Sequence, residues 1–152
     1  MKNDNMKQHL NITNSEMAVM RVIWSMGKAN SADVEAQIAE RQNWTVATIK
    51  TLLGRLVKKE MLAKVRGGRF YTYTANISED EALKKMGEEL LSETCKTRQP
   101  MILSNLIKST SLTSEDVKQL KTLLDQKETV TEVECTCIKD FGVCIHMGHY
   151  AM

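Results

Sequence analysis

The sequence predicts a mainly α-helical protein. It begins with a winged helix-turn-helix, three helices plus a β-hairpin wing, and continues into a helical region suited to dimerisation and a short cysteine-rich tail. Three observations predict it. Residues 43–73 read as a helix followed at once by a basic hairpin centred on Gly67 and Gly68. Amphipathic helical repeats then run through residues 78–124. Three of the four cysteines fall between positions 135 and 144.

Residues 1–11 are polar and are expected to be disordered. Thr13 and Glu16 match a capping box, in which the hydroxyl takes a first-turn amide and the carboxylate reaches back. The helix they open is expected to bury Met17, Met20, Ile23 and Trp24 and to end at Gly27. Asn30 or Ser31 can cap a second short helix with Val34 and Ile38 inward. A link through Gln42 and Asn43 leads to the third helix. Its Val46, Ile49, Leu53 and Leu56 recur at helical spacing on one face. Thr48, Thr51, Arg55 and Lys58 line another, with no acid until Glu60.

A helix that buries one side and offers hydroxyls and cations on the other suits a DNA groove. Cations neutralise phosphates, and short polar side chains reach base edges. Asn43, Thr45, Thr48, Lys50, Thr51 and Arg55 are the groove-facing candidates. Thr45, Thr48 and Thr51 are assigned to base edges or nearby phosphates, since the first turns of a recognition helix meet the bases. Lys50, Arg55, Lys58, Arg66 and Arg69 are assigned to phosphates. The competing reading is a plain α/β domain with a solvated polar face. Two short helices before the basic helix and hairpin favour DNA. Trp24 and Trp44 are expected in the core. The DNA-binding domain is placed at residues 12–76.

From residue 78 the pattern is helical again, with Leu83, Met86, Leu90 and Leu91 in a stripe and Glu79, Asp80 and Glu81 at the favourable end. Pro100 fits the first turn of another helix carrying Met101, Leu103, Leu106 and Ile107. Thr113 and Asp116 open a last one with Val117, Leu120, Leu123 and Leu124. These stripes, in a region placed at residues 77–128, have too little partner surface within one chain. A second copy is the expected partner, the alternative being a monomeric helical subdomain packed on the winged helix. A two-fold dimer sets two recognition helices about 34 Å apart, one DNA turn, and so implies a palindromic double-stranded operator. Cys95 stands alone near a helix end and reads as a small buried residue.

Composition narrows the classes. At 152 residues with 42% hydrophobic residues the chain can build one domain or two small ones. No apolar run approaches the roughly 18 residues of a membrane span, so no membrane partner is expected. The polar N-terminus lacks the apolar centre of a signal peptide. A cytoplasmic location is expected, where thiols stay reduced and four cysteines suggest metal or redox chemistry. Residues 1–76 carry 12 basic against 6 acidic side chains, and residues 77–152 carry 9 against 13. That asymmetry fits nucleic acid for the first half and another role for the second. No nucleotide loop or nucleophile–base pair marks an enzyme.

The tail, residues 129–152, holds Cys135 and Cys137, a six-residue spacer, then Cys144 and His146 with the same one-residue gap. In extended chain, residues two apart point to one side, so each pair presents two donors together. Three thiolates and an imidazole form a standard zinc set, and thiolates also favour Cu(I). Met147 and His149 are further donors. A disulfide switch, or a bare disordered tail, are the competing readings. A zinc finger would need wider gaps within each pair.

The run TVATIKTLLGRLVKKEML followed by RGGRFYTYTA resembles the penicillinase-repressor (BlaI/MecI) family of winged-helix dimers, from about Thr13 to Leu124. The doubled cysteine motif looks like the copper-responsive CopY branch, whose pattern is Cys-x-Cys, a short spacer, Cys-x-Cys. The resemblance implies a dimeric repressor of a copper-homeostasis operon, with Zn(II) in the tail of the DNA-bound form and Cu(I) as the effector that displaces it. Cys135, Cys137 and Cys144 match the first three sulfurs of that pattern, whereas His146 stands at the fourth, the spacer is slightly long, and Cys95 or Met147 is the donor left to compensate. The alternatives are a relative inactivated by proteolysis in the helical region, near Asn105 and Leu106, or by thiol oxidation. A metal-buffering or metal-delivery protein is the alternative from another class.

Overall fold

The computed structural model describes residues 9–138 and Ile145. The elements run α1 (Asn14–Met26), β1 (Lys28–Ala29), α2 (Ser31–Gln42), α3 (Val46–Lys58), β2 (Leu62–Gly67), β3 (Phe70–Ala75), α4 (Glu79–Ser92), a single 3-10 turn (Lys96–Arg98), α5 (Gln99–Ser109) and α6 (Ser114–Gln126). The chain divides into two units, Met1–Gly87 and Glu88–Met152.

The first unit is a winged helix-turn-helix. Two of its helices begin at polar residues that the sequence marks as starts, and the third at Thr45. Thr13 caps α1 in a reciprocal box with Glu16, Asn30 caps α2 in another with Asp33, and Thr45 caps α3. Gly27 ends α1 at φ +77°, where a side chain would be strained. Asn43 ends α2 in the left-handed region, which asparagine tolerates better than most residues. Val19, Met20, Ile23, Val34, Ile49, Leu53 and Leu56 are fully buried where α1, α2 and α3 pack together. Met17, Trp24 and Trp44 are half-buried against that core. The Trp24 Nε1 donates to the Ile77 carbonyl at 2.9 Å, tying α1 to the chain that leaves the wing. Leu10 is buried in the same core.

Two details differ from the sequence reading. Leu52, not Val46, completes the buried face of α3, and Val46 is 40% exposed. The hairpin turn is Gly68 and Arg69, with Gly67 paired to Phe70. Only the first of the two turn residues has a positive φ, +67° at Gly68, the pattern of a type II′ hairpin. The wing also gains a third strand, in the order β1-β3-β2, all antiparallel.

One buried charge is held in this unit. The Glu16 side chain is 1% exposed and accepts from Lys59 Nζ at 2.7 Å and from the Thr13 amide at 3.0 Å. Lys59 Nζ also donates to the Asn11 carbonyl at 2.7 Å. Burial pushes the Glu16 carboxyl up, but the Lys59 hydrogen bond, the Thr13 amide and the Lys59 charge outweigh it and hold it below its ordinary value. Glu16→Ala is expected to lower stability by about 2 kcal/mol, read as an earlier denaturant midpoint, because Lys59 loses a charged partner. A depressed carboxyl stabilises the fold above its unfolded value and stops doing so as pH falls through its folded value. The gap between wild type and variant should therefore close as pH drops through and below the carboxylate range.

The second unit holds the end of α4, α5 and α6. Pro100 sits in the first turn of α5, and Thr113 caps α6 in a box with Asp116. Neither α5 nor α6 buries a residue. Met101, Leu103, Leu106, Ile107, Leu123 and Leu124 are all exposed. No helix of the described residues is long and apolar enough to cross a membrane.

Candidate nucleic-acid interface and metal centre

Helix α3 buries Ile49, Leu52, Leu53 and Leu56, which turns its other side outward. Thr48, Lys50, Thr51, Arg55 and Lys58 on that side are exposed, as are Asn43 and Thr45 just before it and Arg66 and Arg69 on the wing. Three of the hydroxyls and amides have local work. Thr45 Oγ1 accepts from the Thr48 amide at 3.2 Å and lies 3.1 Å from Thr48 Oγ1. Thr51 Oγ1 donates to the Ala47 carbonyl at 2.9 Å, which fixes its rotamer and leaves its lone pairs and methyl outward. Asn43 is exposed, and its place at the left-handed end of α2 gives its identity a backbone reason as well.

Between α3 and the hairpin lies an open cleft of about 600 Å³ whose walls include Lys50, Gly54, Lys64, Arg69 and Tyr71. Gly54 leaves open space there; nothing lies within 4 Å of where its Cβ would be. Lys64 Nζ sits 3.8 Å from the centre of the Tyr71 ring, which holds that cation on the wing by a cation–π contact. The sequence reading missed Lys64 and Tyr71. Their signal was the alternation of the strands, which puts Lys64 opposite Tyr73 and Arg66 opposite Tyr71.

The second unit brings three thiols together. Cys95, Cys135 and Cys137 have their sulfurs all within 4.8 Å of one another. Cys95 Sγ lies 3.4 Å from Cys135 Sγ and 3.1 Å from Thr97 Oγ1. Cys135 is 1% exposed, Cys95 half-buried and Cys137 exposed. The Thr97 hydroxyl, opposed by burial and aided by the Thr136 amide and the Cys137 thiol, holds Cys95 well below its ordinary value, at about 5. Cys137, hydrogen-bonded to Cys95 and close to Cys135, is pushed up to about 12. Of the two thiols, Cys95 is thus the one its neighbours favour as thiolate and Cys137 the one they disfavour. A thiolate among thiols is the form that accepts a soft cation.

The donor set fits such an ion. Sulfurs bound to one tetrahedral ion at about 2.3 Å stand about 3.8 Å from each other, close to the spacing here. Of the ligands expected from sequence, Cys135 and Cys137 are in the cluster; Cys144 and His146 lie outside the described residues. Cys95, read from sequence as a small buried residue and, beside Met147, as a compensating donor, is half-buried and the third sulfur. Nothing local marks it, since its partner lies 40 residues along the chain.

Comparison with known proteins supports the same architecture. The family model described as penicillinase repressor matches residues 12–126. An uncharacterized 16.5 kDa protein of Latilactobacillus sakei is 39% identical over 88% of this chain and 92% of its own. The penicillinase repressor of Bacillus licheniformis is 28% identical over 80% of this chain and 94% of its own. Among solved structures, one described as the CopR repressor is 50% identical, with a TM-score of 0.40, over 45% of this chain and 99% of its own. With a family model spanning its winged helix and the helices beyond, the chain belongs to the penicillinase repressor family of transcriptional regulators.

Proposed function

We propose that the protein is a dimeric, DNA-binding transcriptional repressor of a copper-homeostasis operon. It leaves its operator when Cu(I) replaces Zn(II) at the C-terminal cysteines. The observation that carries this reading is the pairing, in one chain of this family, of an outward cationic helix α3 with a buried-to-exposed cluster of three thiols. Residues 12–76 would read DNA, residues 77–128 would form the dimer, and residues 129–152 would hold metal.

In this reading Thr45, Thr48 and Thr51 meet base edges or adjacent phosphates at the N-terminal end of α3. Lys50, Arg55, Lys58, Arg66 and Arg69 neutralise phosphates along the helix and wing, and Asn43 flanks them. The exposed apolar faces of α5 and α6 are covered by a second copy, which matches a two-fold operator. Cys135 and Cys137, with Cys144 and His146 as further donors, would hold the metal. Thiolate-rich ligation would favour copper(I) or zinc over magnesium and calcium, which take oxygen ligands. Such a regulator works in the cytoplasm.

The test is selection from a pool of random duplexes with the purified zinc-loaded chain, repeated with cuprous ion. A two-fold symmetric sequence should be enriched in the first and lost in the second. No enrichment in either would remove DNA reading and favour a metal-buffering protein. Enrichment that persists with cuprous ion would favour control by proteolysis or oxidation. Within the same assay, Arg55→Ala should weaken operator binding and reduce the slope of log affinity against log salt by about one. An unaltered slope would show that Arg55 touches no phosphate.

A further inference from the structure

We infer that Cys95, at the turn between α4 and α5, is a ligand of the same metal as Cys135 and Cys137, so that a bound thiophilic ion ties the tail to the helical region. This rests on the metal reading above and adds to it a ligand from outside the tail. The argument starts from position. Cys95 lies between the end of α4 and the 3-10 turn, and its sulfur is 3.4 Å from that of Cys135. All three sulfurs lie within 4.8 Å of one another, against about 3.8 Å on a common tetrahedral ion, so movement of no more than about 1 Å would close the set.

The turn that presents Cys95 is held before any ion arrives. Gln99 Nε2 donates to the Leu91 carbonyl at 2.8 Å, and Thr94 Oγ1 donates to the Leu90 carbonyl at 3.0 Å. Thr97 is 5% exposed, and its hydroxyl fixes the Cys95 sulfur at 3.1 Å. On the other strand of the site, Cys135 is buried while Glu134 and Thr136 on either side are exposed. The tail therefore turns one thiol inward at the position opposite Cys95. A pre-positioned ligand on ordered chain and a pair on the tail is how a binding event becomes a tether.

The tether has a defined span. The cross-link joins positions 40 residues apart and encloses the whole of α5 and α6. Closing a loop of that size restricts the segment inside it, and here that segment carries the exposed apolar faces proposed to make the dimer. Occupancy of the site thus constrains both ends of the proposed interface at once.

The experiment uses the full chain, reduced and free of oxygen, with zinc alone and then cuprous ion alone. Pulses of a maleimide reagent followed by mass spectrometry give the alkylation rate of each cysteine. One equivalent of metal should slow Cys95 together with Cys135 and Cys137. Cys95→Ser, checked for unchanged helical content, should lose zinc to a competing chelator at roughly tenfold or more weaker affinity. The inference is overturned if Cys135 and Cys137 are protected while Cys95 labels at its metal-free rate. It is equally overturned if Cys95→Ser holds zinc as tightly as the wild type. Protection of none of the three would remove the underlying metal reading as well.

Discussion

Operator affinity is expected to fall by about 10⁴-fold, about 5.5 kcal/mol, when the zinc-loaded chain is saturated with cuprous ion, because a switch from mostly bound to mostly free needs a difference of that size. An effector moves a two-state equilibrium only by its differential affinity for the two states. The ion must therefore be held more tightly by the DNA-free form, and by linkage the operator must weaken the chain's hold on it by the same factor. The thiol cluster is suited to such discrimination, since ligation would join the tail to the turn that precedes α5 and α6, whose apolar faces are proposed to dimerise. Fluorescence anisotropy of a labelled operator, titrated with protein at fixed metal, measures the effect. An affinity that is the same with zinc and with cuprous ion would sink the copper reading while leaving the repressor intact.

Replacing Leu123 and Leu124 together by aspartate is expected to separate the dimer and to weaken operator binding by roughly 10²- to 10⁴-fold. The two side chains are 62% and 64% exposed, so the single chain has little to lose. In a two-fold interface each substitution appears twice, and four carboxylates would face an apolar surface or one another. The operator then meets one recognition helix at a time and forfeits the effective concentration that linked half-sites provide. Sedimentation velocity should show the monomer, and circular dichroism an unchanged helix content. A double variant that sediments as the wild type does would place the interface elsewhere.

The elements that sequence made legible are those with local causes. Thr13 with Glu16 and Thr113 with Asp116 announce helix starts because both partners lie within one turn. The two-glycine wing is visible for the same reason, though which of its residues occupy the turn depends on the register of β2 against β3, which pairs Gly67 with Phe70. Strand β1 has two residues, too few for any alternation to show, and exists only because Lys28 and Ala29 meet Thr74 and Tyr73. Val46 fits the apolar spacing of α3, yet is exposed, and Leu52 is buried in its place. At the thiol site Cys135 and Cys137 show their spacing, while Cys95 is distant in sequence and shows none. What pattern cannot carry, in each case, is contact between residues far apart in the chain.

The Trp24 indole, bonded to the Ile77 carbonyl, and Trp44 are the two tryptophans of the chain, and both belong to the DNA-reading unit. The cysteines belong to the other. The fluorophore pair thus lies in one unit and the thiol cluster in the other. Intrinsic emission that changes as metal is added to the unlabelled protein reports communication between the two, and a steady signal reports their independence.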